Sequence, residues 1–435
     1  MNIIHHFINE EMLKSVKLLL NSEFLEHCKH LYSILQRRIY IKYILGLKNM
    51  SQMKQLILFF TSIFFIFFPE QEAFASKQKK NEQNKPVNKA PIPQKNSNPP
   101  PIDLDQHKPQ DFFLTTKEIK IPDFPEAFNA SITKWQGNYL LCFRLRLPKE
   151  RTTHQIGLVW LDKEFNVISK GQLIYIPNNW NGEDARIITI RDRVFIIYND
   201  FLPGYESFNC RRMCLTEIHF DGVNFSADPM ECLSSYEGVI KDRVEKNWVP
   251  FEYEGNLLLA YSLAPHRIMR LLGQGKCETY ASTKGSIQWD FGELRGGTPA
   301  VIDDNCYISF FHSRSRKTMK TIQSEGKKLY HFFMGAYTFS LKPPFEITRV
   351  SPEPIWGRDF YKDNICPDCL VVYPGGLIVD EQFYWVIYGR KDSQIWVAQL
   401  DKKGLLNSLV PVITTTHIVT HSREPEALPN ELSKQ

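Results

Sequence analysis

The sequence lacks several signatures of nucleotide chemistry and of serine nucleophiles. It contains no Walker loop and no strand-linked Gly-x-Gly-x-x-Gly, so no nucleotide cofactor is expected. The Gly-x-Ser-x-Gly elbow is also absent, and no Ser-His-Asp set is recognisable. The net charge is only +5 over 435 residues, without a basic stripe, which argues against a nucleic-acid partner. An uncharged ligand is compatible with this balance.

The N-terminal part has no apolar run of membrane-spanning length. Met53-Lys54-Gln55 precedes an apolar run at 56–68, and Ala73-Phe74-Ala75 follows it as a small-residue cleavage site. This order is typical of a secretory signal, and the run is shorter than the roughly 20 residues of a membrane span. We therefore expect residues 53–75 to be a signal peptide or, alternatively, an uncleaved anchor that tethers the protein to a membrane. Either way the protein is expected to be exported: periplasmic, cell-surface or secreted.

The remaining chain divides by composition. Because a signal begins a chain, residues 1–52 are expected to be an upstream extension, with a pattern that favours helices. Residues 76–111 are rich in Pro, Lys and Asn and poor in apolar residues, so they are expected to be an extended or disordered linker. Residues 112–420 are expected to be the folded domain, and residues 421–435 a tail.

Cysteine pairs do not establish a metal site. Of nine cysteines, eight follow residue 75, and an even number in an exported protein permits disulfides whose pairing the sequence does not give. Cys210 with Cys214, and Cys366 with Cys369, form two close pairs that together have the composition of a four-thiolate zinc site. Their long separation instead favours a loop disulfide or free thiols. We expect no metal.

The folded part consists of short, aromatic-rich strands. Five similar segments recur at intervals of roughly 50 to 77 residues, a length that suits a four-stranded blade. They are residues 139–144, 194–198, 257–261, 307–311 and 384–388. Partner strands are predicted at 156–161, 213–220, 334–341 and 395–400, and no long segment after the linker has helical periodicity. The pattern predicts an all-β, five-bladed β-propeller, with a β-sandwich or two smaller β-domains as the alternative.

Polar or glycine-rich segments precede these strands. The one around which the chain is organised, Asn181 to Arg186, places two carboxylates and a guanidinium before a strand-like run at 187–199. In a propeller such segments face a shared central pocket. Five groups of residues in blade order then carry a resemblance: Asn129-Ala130-Ser131 with Phe143-Arg144; Glu183-Asp184-Ala185-Arg186; Glu245 to Phe251; Gly296-Gly297-Thr298-Pro299 with Phe311-His312; and Val371 to Gly376 with Tyr388 to Ser393.

In order and spacing these groups resemble the five-bladed propellers of glycoside hydrolase family 130, the β-mannoside phosphorylases and hydrolases, and related mannosyltransferases. The resemblance spans about residues 125–410. Ala185 and Ala300 depart from it by standing where the family has proline. The family's third-blade His-Arg is replaced by Ala260-Tyr261-Ser262, with Pro265-His266-Arg267 a few residues later.

The resemblance implies that β-mannosidic or similar linkages are cleaved or formed by an inverting single displacement, with phosphate or water as the nucleophile. Asp184 is the expected acid, and the like charge of Glu183 is expected to raise its pKa. Arg186, Lys246 and His312 are the expected phosphate ligands. If they converge with Arg144, phosphate can bind; if one or two point away, water serves and the protein is a hydrolase.

The expected substrate-binding residues are Asn129, Ser131, Arg144, Glu183, Trp248 and Asp392. Asp392 would accept hydrogen bonds from sugar hydroxyls. Trp180 and Trp248 would be sugar platforms, although most aromatic residues in a propeller pack between blades. Gly296-Gly297 is expected to permit a tight turn. The expected partner is an oligo- or polysaccharide, and inorganic phosphate is a candidate co-substrate.

Two other interpretations stay open. The protein could be a non-catalytic exported propeller that binds a glycan or a protein partner. It could also resemble family 43 or family 32 hydrolases, which use three carboxylates from different blades, although a third such motif is not evident here.

Overall fold

The computed structural model describes residues 108–146, 154–179, 181–201, 210–240, 243–285, 287–315, 319–321, 327–358, 360–361 and 369–418. The expected upstream extension, the signal peptide, most of the linker, Trp180, Cys366 and the tail lie outside these residues. The described residues all belong to one unit of the chain, Asn98–Gln435. Among them, no helix has the length and apolar character needed to cross a bilayer.

The described residues are almost entirely β-structure. The first strands are β1 (Phe113–Glu118), β2 (Phe128–Trp135), β3 (Asn138–Arg146), β4 (His154–Leu161), β5 (Gln172–Leu173), β6 (Glu183–Ile190), β7 (Arg193–Phe201), β8 (Arg211–Phe220), β9 (Phe225–Ala227), β10 (Glu231–Cys232), β11 (Val249–Tyr253), β12 (Asn256–Leu263), β13 (His266–Gly273) and β14 (Lys276–Gly285). Then follow β15 (Glu293–Gly296), β16 (Val301–Asp303), β17 (Cys306–Arg314), β18 (Met319–Lys320), β19 (Lys328–Ser340), β20 (Ile347–Val350), β21 (Cys369–Leu370), β22 (Val372–Val379), β23 (Phe383–Arg390), β24 (Gln394–Asp401), helix α1 (Lys402–Ser408), β25 (Val410–Pro411) and β26 (Thr414–Ile418). Asp401 caps the helix by accepting a hydrogen bond from the Gly404 amide.

These strands form five sheets, which we number by chain order. Their strand orders are β2-β3-β4-β5 in sheet 1, β6-β7-β8-β10 in sheet 2, β11-β12-β13-β14-β26 in sheet 3, β15-β17-β19-β20-β25 in sheet 4, and β22-β23-β24-β1 in sheet 5. Four sheets take their first four strands from one continuous stretch of chain, whereas sheet 5 is completed by the N-terminal strand β1. The pairing within these orders is antiparallel, as between β2 and β3 or between β1 and β24.

Each sheet packs against the next through its own hydrophobic core. The shared cores contain Ile156 with Ile187 between sheets 1 and 2, Phe195 with Leu259 between sheets 2 and 3, Phe251 with Phe339 between sheets 3 and 4, Phe310 with Tyr384 between sheets 4 and 5, and Val397 with Leu141 between sheets 5 and 1. Because sheet 5 packs on sheet 1 again, the sheets close into a ring and protect their faces. The predicted all-β propeller arrangement is confirmed.

The first strands of the sheets surround a central channel. A cavity of about 370 Å³ in this channel is lined by residues 132–134 of β2, 187–189 of β6, Glu252 of β11, 301–302 of β16 and 377–379 of β22. Every sheet therefore contributes its inner edge to one axis. Polar atoms at the opposite end of the same strands form the candidate site described below.

Glycine pairs let the inner strands approach one another closely. A Cβ on Gly296 would lie 2.2 Å from the Asn247 carbonyl oxygen, and one on Gly375 would lie 2.2 Å from the Ala130 carbonyl oxygen. No side chain fits at these distances. The prediction of a tight turn at Gly296-Gly297 was wrong, because Gly296 ends β15 and neither glycine has a positive φ. Contact between neighbouring sheets requires these glycines.

The predicted strands fall within observed strands to within one residue, but the polar segments sit elsewhere than expected. The run at 187–199 is a hairpin: β6 ends at Ile190 and β7 begins at Arg193. Glu183 and Asp184 therefore begin the innermost strand of sheet 2 and are not in a loop before it. Tyr373 to Gly376 likewise lie inside β22.

The fold also begins slightly before residue 112. Gln110, which was assigned to the linker, donates a hydrogen bond from Nε2 to the Pro354 carbonyl oxygen (2.8 Å) and accepts one at Oε1 from the Trp356 amide (2.9 Å). These two bonds fix the chain ahead of β1.

Candidate active site

The inner strands of sheets 1 and 2 are distorted at the polar end of the channel. The pairing register shifts between Phe128 and Ser131 in β2 and between Glu183 and Arg186 in β6. Asn129 and Asp184 sit in these bulges with φ of 47° and 53°. Positive φ is uncommon outside glycine, and bulges beside functional sites redirect side chains. The backbone is therefore shaped to turn these two side chains towards the channel mouth.

One amide joins two carboxyl groups from different sheets. The Asn129 Nδ2 group donates to Asp184 Oδ1 and to Asp392 Oδ1, each at 3.1 Å. Asp392 lies in the turn between β23 and β24 and also has a positive φ, 51°. Arg144 Nη1 donates to the same Asp184 oxygen at 2.8 Å. Sheets 1, 2 and 5 thus bring Asn129, Arg144, Asp184 and Asp392 together.

Glu183 is a buried hub of ion pairs. Its Oε1 contacts Arg144 Nη2 at 2.8 Å, Arg211 Nη2 at 2.9 Å and His154 Nδ1 at 3.2 Å, and its Oε2 contacts Lys246 Nζ at 2.8 Å. The residue is 7% exposed. Both oxygens are occupied by cationic partners, so the expected role of Glu183 in holding substrate is not supported. Its contacts instead tie sheets 1 and 2 to the segment that leads into sheet 3.

Cations lower the pKa of both adjacent carboxyl groups. Burial alone raises the pKa of Glu183 and of Asp184. At Glu183 the hydrogen bond with His154 and the charges of Arg144 and Lys246 outweigh burial, and the pKa falls to about 2. At Asp184 the charges of Arg144, Lys246 and Arg186 outweigh burial. The pKa of Asp184 also lies below its usual range. The prediction that Glu183 raises the pKa of Asp184 was therefore wrong, because the repulsion from Glu183 is smaller than the attraction of the surrounding cations.

Asp392 differs from Asp184 in this respect. Burial raises its pKa, and the negative charge of Asp184 raises it further. The hydrogen bond from Asn129 and the charges of Arg144 and Arg146 oppose this rise without cancelling it. Two carboxyl groups on one amide consequently have pKa values displaced in opposite directions, which is the arrangement expected of groups with different roles in proton transfer.

Arg186 does not present a free guanidinium. Its Nε donates to the Gly297 carbonyl oxygen at 2.9 Å, its Nη1 to the Asp184 carbonyl oxygen at 2.5 Å and its Nη2 to Asn247 Oδ1 at 3.2 Å. The guanidinium also lies over the Tyr373 ring, 4.9 Å from its centroid, and the residue is 1% exposed. The predicted phosphate ligand Arg186 is thus engaged in joining inner strands.

The other two predicted phosphate ligands also lack available charge. Burial, with Arg186 and Arg295 nearby, lowers the pKa of His312 to about 3, so its buried imidazole is neutral at neutral pH. Lys246 is already paired with Glu183, although its side chain remains 32% exposed. The structure brings these residues to the same end of the channel but does not arrange three free cations there.

Two expected substrate-binding residues are buried in the framework. Ser131 is fully buried, and its Oγ accepts a hydrogen bond from the Ile187 amide (3.2 Å), which links β2 to β6. Trp248 is 1% exposed and packs edge-on against Tyr236 and Tyr261, with ring centroids 5.3 and 5.0 Å away. The expected sugar platform at Trp248 is therefore wrong: its faces contact protein.

We expect Trp248→Phe to lower the free energy of unfolding by about 1–3 kcal/mol, because it removes buried contacts between sheets 2 and 3. Urea titration followed by circular dichroism measures this loss. Tyr175→Phe is the control, since Tyr175 is 82% exposed and its variant should match the wild type. Equal stability of Trp248→Phe and the wild type would contradict the packing role.

Arg211, His154 and Asn181 complete the site, and the sequence reasoning did not assign them. Arg211 begins β8 and donates from Nη1 to the Asn181 carbonyl oxygen at 3.0 Å, besides its contact with Glu183. The Asn181 side chain accepts from the His154 amide at 2.7 Å. A signal was present at Arg211, because two consecutive arginines at the start of an apolar strand indicate buried charge that needs a partner.

Cys210 and Cys214 contact different partners in the part of the chain that the structure describes. Cys210 Sγ donates to the Arg243 carbonyl oxygen (3.8 Å), whereas the Cys214 thiol hydrogen-bonds with Cys232 on the neighbouring strand. Cys210 and Cys214, the first predicted pair, therefore have different partners. Cys366, from the second predicted pair, lies outside the described residues. These contacts give no support to the zinc alternative.

No protein-family profile and no curated protein sequence matches this chain. Several solved structures do. A candidate glycoside hydrolase from Parabacteroides distasonis aligns at 16% identity over 64% of this chain and 87% of that one, with a TM-score of 0.50. A glycosyl hydrolase from Bacteroides ovatus aligns at 13% identity over 64% and 84%, also with a TM-score of 0.50. The chain has the fold of these proteins.

A β-1,2-mannobiose phosphorylase from Listeria innocua also aligns, at 16% identity over 67% of this chain and 92% of that one, with a TM-score of 0.48. At such identities the similarity concerns architecture, and the activity has to be argued from the side chains of the site.

Proposed function

We propose that this protein is a carbohydrate-active enzyme that cleaves or forms β-mannosidic or similar linkages at the polar end of its channel, by an inverting single displacement. The observation that carries the proposal is the amide of Asn129, which holds Asp184 and Asp392 together while their pKa values are displaced in opposite directions. Glycoside cleavage needs a carboxyl group that keeps a proton for the leaving oxygen, and a neighbouring carboxylate favours that protonated state. The shared fold with glycoside hydrolases agrees with this assignment. We also infer that each of the five sheets is one blade.

Water is favoured over phosphate as the nucleophile. Arg186 gives its donors to main-chain and amide oxygens, His312 is neutral, and Lys246 is paired with Glu183. A phosphate dianion would have to displace these contacts, whereas a water molecule would not. We therefore propose hydrolysis. The expected result is release of a free sugar at a rate that is the same with and without inorganic phosphate. Formation of a sugar 1-phosphate would instead indicate phosphorolysis.

The Asp184→Asn variant tests the proposed function. We expect it to reduce turnover of β-linked mannooligosaccharides by about 10²-fold to 10⁴-fold, because it removes the charge on which the acid–base pair depends. Product release is measured by chromatography of the released sugar. Asp192→Asn is the matched control, since Asp192 lies in the exposed hairpin at the other end of β6.

Unchanged turnover in Asp184→Asn would contradict the placement of the reaction at this site. Absence of turnover by the wild type across β-linked glycans would favour the non-catalytic glycan- or protein-binding propeller. Export and membrane tethering through residues 53–75 remain part of the proposal, on the strength of the sequence pattern alone.

A further inference from the structure

We infer that Asp392, and not Asp184, delivers the proton to the bridging oxygen of the glycosidic bond, while Asp184 stays ionised beside it as a positioning residue that keeps the proton on Asp392. This inference rests on the proposed glycoside chemistry. The acid is then Asp392 beside sheet 5, whereas the sequence analysis assigned the acid role to Asp184 of sheet 2.

The hydrogen-bond geometry separates the two carboxyl groups. The Asn129 amide has two hydrogens, and it donates one to each group at 3.1 Å. The same Asp184 oxygen also accepts from the Arg144 guanidinium at 2.8 Å, a charge-assisted bond that favours the carboxylate form. Among the described residues, Asp392 receives no comparable bond from a cation. Asp184 is thus fixed as an anion, and Asp392 can hold a proton.

The positions of the two groups also differ. Asp184 is 9% exposed and lies within a bulge of an inner strand. Asp392 lies on the turn between β23 and β24 and is only partly buried, so that a ligand at the channel mouth can reach it. A proton donor has to approach the leaving oxygen within hydrogen-bond distance. Asp392 meets this requirement without displacement of an ion pair.

Charged and titratable groups face Asp392 from four elements. Arg144 and Arg146 extend from β3, Asp184 from β6 and Tyr373 from β22, while Asn129 faces it from β2. Arg144 is bound to both Glu183 and Asp184, which offsets its charge. Arg146 is exposed, so solvent screens it. Burial and the charge of Asp184 consequently dominate, and they raise the pKa of Asp392.

The step balances without another reactant. The oxygen of water bonds to the anomeric carbon, and the bond from that carbon to the bridging oxygen breaks. Its electron pair goes to the bridging oxygen, which takes the proton of Asp392. Asp392 is left as an anion next to Asp184, so repulsion between the two favours return of a proton to Asp392 from solvent. The attacking water loses one proton to solvent, which equals the one that Asp392 regains.

Leaving-group dependence distinguishes the two carboxyl groups. The probes are a β-mannobioside, whose leaving sugar needs a proton, and 2,4-dinitrophenyl β-mannoside, whose leaving phenolate does not. We expect Asp392→Asn to lose about 10²-fold or more of kcat on the mannobioside while it stays within several-fold of the wild type on the dinitrophenyl substrate. If Asp392→Asn does not fold, as judged by circular dichroism, Asp392→Ser takes its place.

The pH profile tests the positioning role of Asp184. Asp184→Asn removes the charge that holds the proton on Asp392, so the alkaline limb of kcat/KM for the mannobioside should move to lower pH. A purely structural role would lower the rate without moving this limb.

Other outcomes identify which statement fails. A leaving-group-dependent loss in Asp184→Asn but not in Asp392→Asn would overturn the inference and return the acid role to Asp184. Equal losses on both substrates in Asp392→Asn would also overturn it, because protonation would then not be the step affected. No turnover of either substrate by the wild type would overturn the proposed function itself, and the inference with it.

Discussion

Replacement of Glu183 by Gln is expected to lower the free energy of unfolding by about 3–5 kcal/mol, which is the usual effect of removing one partner from a buried ion pair. Glu183 is 7% exposed and contacts Arg144, Arg211, His154 and Lys246. The neutral amide leaves these groups close together with less compensating charge, and it cannot accept at both ends. Urea unfolding of the wild type and of Glu183→Gln at pH 7, under identical conditions, measures the difference in the free energy of unfolding.

A surface ion pair supplies the matched control for this experiment. Glu293 contacts Arg295 Nη2 at 2.9 Å, and the Glu293 side chain is 62% exposed. Glu293→Gln should therefore change stability by less than about 1 kcal/mol. Equal effects of the two substitutions would contradict the view that Glu183 joins sheets 1 and 2 to the segment before β11. A stable Glu183→Gln protein would mean that its cationic partners find other anions.

The sequence predicted the middle strands well because they carry the clearest physical signal. Residues 194–198 of β7 are buried and consist of Val, Ile, Phe and Tyr, which a packed sheet between two others requires. The inner strand β6 was not recognised as a strand at its start, since Glu183, Asp184 and Arg186 read as loop residues. They tolerate a buried strand because Arg144, Arg211 and Lys246 compensate their charge from distant parts of the chain, and this compensation is visible only in three dimensions.

The same limit explains the errors at the site. Glu183 is adjacent to Asp184 in sequence, so its repulsion was expected to set the pKa of Asp184, whereas the attraction of Arg144, 40 residues away, has the larger effect. The contact of Asn129 with Asp392 spans 263 residues and followed only from the resemblance in blade order. Trp248 adjoins a polar motif, but neighbouring sheets bury its ring. Sequence proximity therefore indicated which residues gather, and not which of them remain accessible or protonated.

Acid is expected to weaken the fold steeply through Glu183 and Asp184. The pKa of Glu183 is lowered from 4.5 to about 2 in the folded protein, and that of Asp184 is lowered from 3.8. A depressed pKa means that the stabilisation is fully present above the unfolded value and is lost as pH falls through the folded value. We expect Glu183 alone to account for about 3 kcal/mol lost between about pH 5 and pH 2, since each pH unit of displacement corresponds to about 1.4 kcal/mol. Urea unfolding at successive pH values measures this loss.

Two variants separate the effects of Glu183 and Asp392, which change the free energy of unfolding in opposite directions as pH falls. Glu183→Gln should show a decline between pH 5 and pH 2 that is smaller by about 3 kcal/mol, because the unfolded chain no longer binds that proton ahead of the folded one. Asp392 acts in the other direction: its raised pKa means that the folded protein takes up its proton first, so falling pH adds stability there. Asp392→Asn should therefore decline more steeply from neutral pH than the wild type. Parallel curves for all three proteins would show that these carboxyl groups titrate alike in both states, and the division between a proton-holding Asp392 and an ionised Asp184 would then have no electrostatic basis.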